Sequence, residues 1–171
     1  MRRVSLLVIG MLTVVALALT AVIWIMFTDL NRLRTEETAG AEALAAARSV
    51  ASAMLSYDYR TIEQDFARAG GYTAGGLTWH YKQLATTLVP QARKERTVQQ
   101  ATVSGAGVES IGSDRVEVLL FMSMSTVRTL PGEKEPRRQV SQNRALFVMV
   151  KKDSRWLVAE LSTLLGSPPR P

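Results

Sequence analysis

The sequence predicts an α+β fold, in which an N-terminal transmembrane helix is followed by helices that pack on a curved antiparallel sheet. Three observations lead to this prediction. The chain opens with an uncharged apolar run, its next part to about residue 96 has apolar residues at helical spacing, and the rest alternates as strands do. Helices followed by a meander of strands are typical of α+β domains. About 140 residues remain outside the anchor, which is enough for a hydrophobic core.

Residues 1–28 are predicted to be a short tail and a membrane anchor. Val4–Phe27 carries no charge. As a helix it is about 36 Å long, enough to cross a hydrocarbon core of about 30 Å. A cleaved signal peptide is the alternative, but the apolar run exceeds the usual length of roughly 7–15 residues and no small-x-small cleavage site follows it closely. We therefore expect an uncleaved signal-anchor.

Basic residues beside the span predict its orientation. Arg2 and Arg3 precede the span, and Arg32 and Arg34 follow it. The basic side chains therefore tie, and the terminal amine with the closeness of Arg2 and Arg3 favours a cytoplasmic N-terminus. We expect a single-pass protein of the inner (cell) membrane with an extracytoplasmic domain.

Residues 29–165 are predicted to form that domain, beginning with three helices. The first is alanine-rich and runs from Asp29 to about Leu55, and its small residues permit close approach to a sheet. Thr61 and Gln64 have the spacing of a capping box for a short second helix, which Gly70-Gly71 ends.

The third helix is predicted from about Leu77 to Leu88, and Pro90 either interrupts it or begins the next turn. Its apolar face is predicted to hold Leu77, Tyr81, Leu84 and Leu88.

Four strands are predicted next, over residues 98–112, 115–127, 139–151 and 155–165. Gly105-Ala106-Gly107 predicts a bulge or bend in the first, and hence a curved sheet. In the second strand the clearest buried face holds Val116, Val118, Leu120, Met122 and Met124. In the fourth strand Trp156 and Val158 share a face, with Glu160 as a further candidate. Residues 166–171 are predicted to be a disordered or extended tail.

Little catalytic chemistry is predicted. Cysteine is absent, which excludes disulfides, thiolate metal sites and thiol catalysis. His80 is the sole histidine, so a histidine metal cluster is excluded, and we expect it on a helix surface. The sequence has no Walker, dinucleotide-binding or nucleophile-elbow pattern. We therefore predict no catalytic, cofactor-binding or metal residues and no cofactor, and we expect a protein that is not an enzyme.

Several polar and aromatic residues nevertheless have two interpretations. Asp58 and Asp65 are either acidic bases in a cavity or, as we favour, local structural residues that bond to backbone or lie on a polar helix face. Structural or pocket roles are predicted for five residues, namely Tyr57, Asp58, Tyr59, Tyr81 and Trp156, whose aromatic members form a cluster between helices and sheet or line a lipid-sized pocket. Core packing is likewise favoured over an interaction face for Met122, Met124 and Met149.

The chain has a net charge of +6, and some of its basic residues form two tight groups in the sequence. They are Arg93, Lys94 and Arg96, and then Arg137 and Arg138. We interpret both as solvated surface and expect no nucleic-acid partner.

Four stretches occur in an order that is more specific than any one of them. They are Met54-Leu55-Ser56-Tyr57-Asp58-Tyr59, Asp65 with Ala69 and Gly70-Gly71, the text from Val103 to Phe121 that includes Ala106-Gly107-Val108-Glu109-Ser110, and Trp156-Leu157-Val158. Together they resemble the Mce-associated membrane proteins of actinobacteria over nearly the whole chain. Gly70-Gly71 stands where that family has Thr-Gly.

The resemblance implies a cone-shaped domain similar to nuclear transport factor 2 (NTF2) folds and to the VirB8 components of secretion systems. It also implies an accessory subunit of an Mce lipid-import machine that carries sterols or fatty acids, with Mce-family transporter proteins and membrane lipid as partners. Two alternatives remain open. One is a lipid-binding module that uses the cone cavity, and the other is a VirB8-like structural subunit of a secretion machine.

Overall fold

A computed structural model describes the backbone of residues 2–164. Within this range, the side chains of residues 2–16, 18, 21–22, 28–29, 31–33 and 163–164 lie outside the description. The elements in chain order are α1 Arg2–Leu55, β1 Tyr57–Asp58, α2 Ile62–Gly70, α3 Gly76–Lys94, β2 Val98–Ile111, β3 Arg115–Arg128, β4 Arg137–Lys152 and β5 Arg155–Leu164.

The chain divides into two units, of which the first ends at Thr38 and the second begins at Ala39. The first unit is helical, and its described apolar side chains from Leu17 to Leu30 are 47–73% exposed. The predicted span, Val4–Phe27, falls mostly on residues whose side chains are outside the description. Among the described residues, no helix combines the length and apolarity that a membrane crossing requires. The predicted tail, residues 166–171, lies outside the described residues.

The second unit has one five-stranded antiparallel sheet, in the order β1-β2-β3-β4-β5. Each strand pairs with the next strand in sequence, as in a meander. The predicted α+β class is therefore confirmed. β1 was not predicted, because a two-residue strand has no periodicity; Tyr57 and Asp58 pair with Gln99 and Val98.

The core lies between the helices and one face of the sheet. The buried face predicted for β3 is confirmed: Val116, Val118, Leu120 and Met122 are at most 2% exposed, and Met124 packs against them. From α1, Ala43, Ala47 and Ala51 are fully buried in the same core. Small side chains let a helix backbone approach a sheet closely, and a Cβ atom at Gly40 would lie 2.9 Å from Ile111 Cδ1. Met149 is also fully buried, so core use of the methionines is confirmed.

Irregular pairings bend the sheet. In β2 the register shifts at Ser104 and at Glu109, so the predicted bulge is confirmed and a second one is added. In β5 the residue Ala159 is extra, since Val158 pairs with Met149 and Glu160 with Val148. The prediction that Glu160 shares the face of Trp156 and Val158 is therefore wrong, because one additional residue moves it to the opposite face.

Both short helices differ in detail from their predictions. Thr61 precedes α2 but makes no side-chain cap, so the predicted capping box does not form. Pro90 does not stop α3, which continues to Lys94. Proline removes one hydrogen bond from a helix, but Ala92 in the last turn is 1% exposed and its carbonyl oxygen accepts the Thr97 N–H at 2.8 Å. Leu84 is 40% exposed and does not join the buried face of α3.

Candidate functional site

The two acidic candidates are held by local structure. Asp65 Oδ2 accepts hydrogen bonds from the Thr61 hydroxyl at 2.9 Å and from the Asp58 N–H at 3.2 Å, while Oδ1 accepts from Arg68 at 2.9 Å. Asp58 Oδ1 accepts the Arg60 N–H at 2.9 Å. The arrangement fastens the start of α2 to β1, and a pocket of about 270 Å³ lies beside it. The hydrogen bonds of both carboxylates serve this junction, as expected for structural rather than catalytic residues.

The end of α1 is capped by side chains from distant elements. The Tyr81 hydroxyl donates to the Met54 carbonyl at 3.2 Å, and Gln99 Nε2 donates to the Leu55 carbonyl at 2.8 Å. These carbonyls belong to the last turn, where intrahelical donors are missing. Burial raises the pKa of Tyr81 to about 12. The Tyr81 hydroxyl therefore stays protonated at neutral pH and fastens α3 to α1.

The predicted aromatic residues occupy three different places. Tyr57 and Tyr81 are linked through Phe66, with ring centroids 6.2 and 6.0 Å apart. Tyr59 lies beneath the Arg60 guanidinium, whose carbon is 5.3 Å from the ring centre. Phe66 was not predicted to belong to this cluster. The available sequence signal was its position four residues after Ile62, which places both side chains on one face of α2. Burial, and then the negative charge of Glu95, raise the pKa of the Tyr57 hydroxyl.

Trp156 belongs instead to a polar contact between α1 and the β4–β5 hairpin. Its indole N–H donates to Glu42 Oε2 at 3.1 Å, and Lys151 Nζ donates to the same oxygen at 2.7 Å. The Lys151 ammonium also lies 5.6 Å from the centre of the Trp156 ring. The hydrogen bonds from Lys151 and Trp156 lower the pKa of Glu42. This contact fixes the edge of the sheet against α1.

Two hollows in the second unit differ in chemistry. The hollow at the concave face of the sheet holds about 260 Å³, and its lining includes Gln91, Gln99, Thr126, Gln139 and Ser141. The groove between α2 and α3 holds about 520 Å³. Its surface is mostly apolar, with one acidic and one basic side chain. The lining residues are Glu63, Phe66, Ala67, Gly70, Thr78, Tyr81, Lys82, Ala85 and Val89. Of these two hollows, the more apolar one thus lies between α2 and α3.

No candidate metal-binding site is found in the part of the chain that the structure describes. No group of three or more His, Asp or Glu side chains is placed there to hold an ion. His80 is exposed on α3, as predicted. Among the described features, the apolar groove between α2 and α3 is the candidate functional site, and it is suited to binding another molecule.

Residues 4–153 match the protein family described as "Uncharacterized protein Rv1363c/MT1408-like". The chain belongs to this family. The chain is 29% identical over 130 residues to the Mycobacterium tuberculosis (strain H37Rv) protein called Uncharacterized protein Rv1362c; the match covers 75% of the chain and 57% of that relative. The chain thus spans little more than half of that relative's length. It is 28% identical over 156 residues to Outer membrane protein Rv1973 of the same strain, covering 91% of the chain and 94% of the relative.

Solved structures identify the fold of this Rv1363c/MT1408-like chain. An IcmL-like type IV secretion system protein from Legionella pneumophila has a TM-score of 0.57 at 16% identity, covering 77% of the chain and 96% of that structure. CagV, a VirB8 homologue from Helicobacter pylori, has a TM-score of 0.55 at 11% identity, covering 72% and 96%. An NTF2-like protein involved in plasmid conjugation has a TM-score of 0.50 at 16% identity, covering 77% and 50%. The predicted NTF2-like and VirB8-like fold is confirmed, while the Mce-associated relationship stays a prediction.

Proposed function

We propose that the protein is a non-enzymatic, membrane-associated structural subunit that holds other proteins of the cell envelope in an assembly, with its domain on the extracytoplasmic side. The observation that carries this proposal is the open groove between α2 and α3, whose floor includes Phe66, Ala85 and Val89. An apolar cleft of several hundred Å³ has the size and lining of a binding site. Asp58 and Asp65 are the two carboxylates that were considered as acidic bases. Their hydrogen bonds instead hold β1 and the start of α2 together.

The comparisons support the same proposal in its general form. The IcmL-like protein and CagV are named as proteins of type IV secretion systems, and CagV is a VirB8 homologue. A relative that the chain matches nearly end to end is called an outer membrane protein. A fold does not determine a function, so these names support a structural role in an envelope assembly without naming the assembly.

Membrane association is supported by the first unit. Its described side chains include Ile23, Trp24, Ile25, Met26 and Phe27, which are 59–73% exposed. Soluble proteins rarely expose a contiguous apolar surface of this kind. We propose that the anchor brings the domain close to its partners, so that contacts of modest affinity become occupied.

A second candidate function is support of an Mce-type lipid-import complex, with Mce-family transporter proteins as the partners. It rests on the ordered sequence stretches that resemble the Mce-associated membrane proteins. In this second candidate, sterol or fatty-acid uptake depends on the chain because the chain stabilises the transporter. The hollow at the concave face is small and is lined mainly by polar side chains, with Glu95 and Arg128 among them, so we do not place a lipid there.

The proposal is tested with the full chain purified in mild detergent from the cells that produce it. Ala85→Arg introduces a charge into the groove, whereas Gln83→Arg introduces the same charge at an exposed position of α3 that does not line it. We expect wild type and Gln83→Arg to retain the same co-purifying proteins and Ala85→Arg to lose them, with all three melting alike. Wild type that migrates alone on a native gel, with no co-purifying partner, would refute the assembly role.

The identity of the partners separates the two candidates. Mce proteins that co-purify, together with reduced lipid uptake in a deletion strain, favour the lipid-import assembly. Partners of another envelope machine, with normal lipid uptake after deletion, favour a VirB8-like role outside lipid transport.

A further inference from the structure

The fold brings together two basic groups that are more than thirty residues apart in the sequence. The Thr129 N–H donates to the Glu95 carbonyl at 2.7 Å, which joins the end of α3 to the end of β3. Across the β3–β4 pair, Arg128 is directly opposite Arg137, and Val127 is opposite Arg138. We call residues 93–96 and 128–138 the basic end of the domain.

The basic end holds the whole net charge of residues 39–164. It contains seven basic and three acidic residues, whereas the rest of residues 39–164 contains nine of each. The basic end therefore has an excess of four positive charges and the remainder is neutral. A local excess of one sign raises the concentration of oppositely charged molecules near it.

Ion pairs use only part of this charge. Arg93 pairs with Glu63 of α2 at 2.9 Å, Arg128 lies 4.0 Å from Glu95, and Arg137 pairs with Glu133. In the part of the chain that the structure describes, no ion pair involves Lys94, Arg96, Lys134 or Arg138, and Glu135 is the one acidic residue of the basic end without such a pair. Like charges placed opposite each other on a sheet are unfavourable, so the Arg128–Arg137 pair has a cost that a neutral pair would avoid.

A polar cleft adjoins these charges. The hollow at the concave face, about 260 Å³, has both Arg128 and Glu95 in its lining, together with the polar side chains of Gln99, Thr126, Gln139 and Ser141. Amide and hydroxyl groups can donate to and accept from a peptide backbone, and arginine binds carboxylates in a two-pronged geometry. The Arg128 side chain is 46% exposed, and a polypeptide that reaches it can also place backbone groups in the adjoining cleft, which the flat surface of a bilayer does not do.

From this arrangement we infer that the basic end docks an acidic polypeptide segment of a partner protein, with carboxylates on the arginines and lysines and backbone groups along the cleft. The inference rests on the proposed function, because it supplies a second contact of the same structural subunit. It specifies further that the partner of this subunit is negatively charged where it binds. The partner's segment is acidic and extended, and its binding weakens with salt.

The test uses the full chain in mild detergent and a short synthetic peptide of alternating Glu and Ser as the probe. The variant Lys94→Glu/Lys134→Glu/Arg138→Glu reverses three exposed charges at the basic end. We expect at least about tenfold weaker peptide binding than wild type at low salt, because charge complementarity drives such contacts. Raising the salt concentration weakens wild-type binding toward that of the variant.

A matched triple variant controls for total charge. Arg144→Glu/Lys152→Glu/Arg155→Glu makes the same change in net charge at exposed positions away from the basic end, and it has to bind the peptide as wild type does. Equal loss in both variants overturns the inference, as does wild type that ignores the peptide but binds phosphatidylglycerol vesicles or duplex DNA through the basic end. Peptide binding is measured without the cellular assembly, so its failure is distinct from failure of the proposed function, which the native gel reports.

Discussion

Replacing Ala47 with leucine tests how α1 is held against the sheet. Ala47 is 0% exposed and is flanked on the same helix face by Ala43 and Ala51, which are also fully buried. The helix propensities of alanine and leucine differ by a few tenths of a kcal/mol at most. Three added carbon atoms have to enter a filled space, and overpacking of this kind costs about 1–3 kcal/mol. At about 4 °C per kcal/mol for a domain of this size, the melting temperature should fall by about 4–12 °C.

The matched control is Ala45→Leu, which makes the same substitution two residues earlier at an exposed position. Both variants and wild type are compared as full chains in mild detergent, by the temperature at which a protease begins to cut within residues 39–164. Ala45→Leu should melt within about 1–2 °C of wild type, because surface substitutions rarely change stability by more than about 0.5 kcal/mol. Equal melting of Ala47→Leu and Ala45→Leu would show that the small residues of α1 do not define a tight contact with the sheet.

Three further predictions follow from named hydrogen bonds. Tyr81→Phe leaves a carbonyl of α1 without its donor and should cost about 1–2 kcal/mol, whereas Tyr59→Phe, which removes a hydroxyl with no described hydrogen bond, should cost little. Burial raises the pKa of Tyr81 to about 12 from 10.0. The stability that the protonated Tyr81 hydroxyl contributes is therefore complete below pH 10 and is lost as the pH rises toward 12, so wild type should lose stability there more steeply than Tyr81→Phe. Asp65→Asn weakens a three-donor site and should cost about 1–3 kcal/mol in urea unfolding, while Asp114→Asn at an exposed carboxylate serves as the unaffected control. The lowered pKa of Glu42 gives stability that is present above its ordinary value of 4.5 and is lost as the pH falls through the lowered pKa; Glu42→Gln should flatten acid unfolding there, and an unchanged acid limb would contradict the contact.

The sequence predicts the layers of the domain well because periodicity reports burial. The alternation Val116, Val118 and Leu120 marks the inner face of β3, and all three are at most 1% exposed. The alanine-rich stretch predicts close packing of α1, and the fully buried Ala43 and Ala47 show that packing. In both cases a single element reveals which side faces the core.

Features that depend on two distant segments were not predictable. Trp156 meets Glu42 across more than a hundred residues, and no local pattern encodes that contact. Ala159 shifts the register of β5 because of its partner strand, which sequence alternation within β5 does not show. The basic end has the same origin: the groups that contain Arg96 and Arg138 look like two separate patches of solvated surface until the pairing of β3 with β4 and the end of α3 place them together.

The meander also has a consequence for the order in which the chain folds. Every strand of the sheet pairs with its neighbour in sequence, so the β3–β4 hairpin can form from contacts that are local along the chain. α1 is synthesised before all of these strands, yet its buried alanines belong to a core that also includes residues of β3, β4 and β5. The helix must therefore wait, with its packing face uncovered, until the last strands leave the ribosome. Docking of α1 onto a preformed sheet is then the late event in folding, and a chain interrupted before β4 would leave that helix without its core.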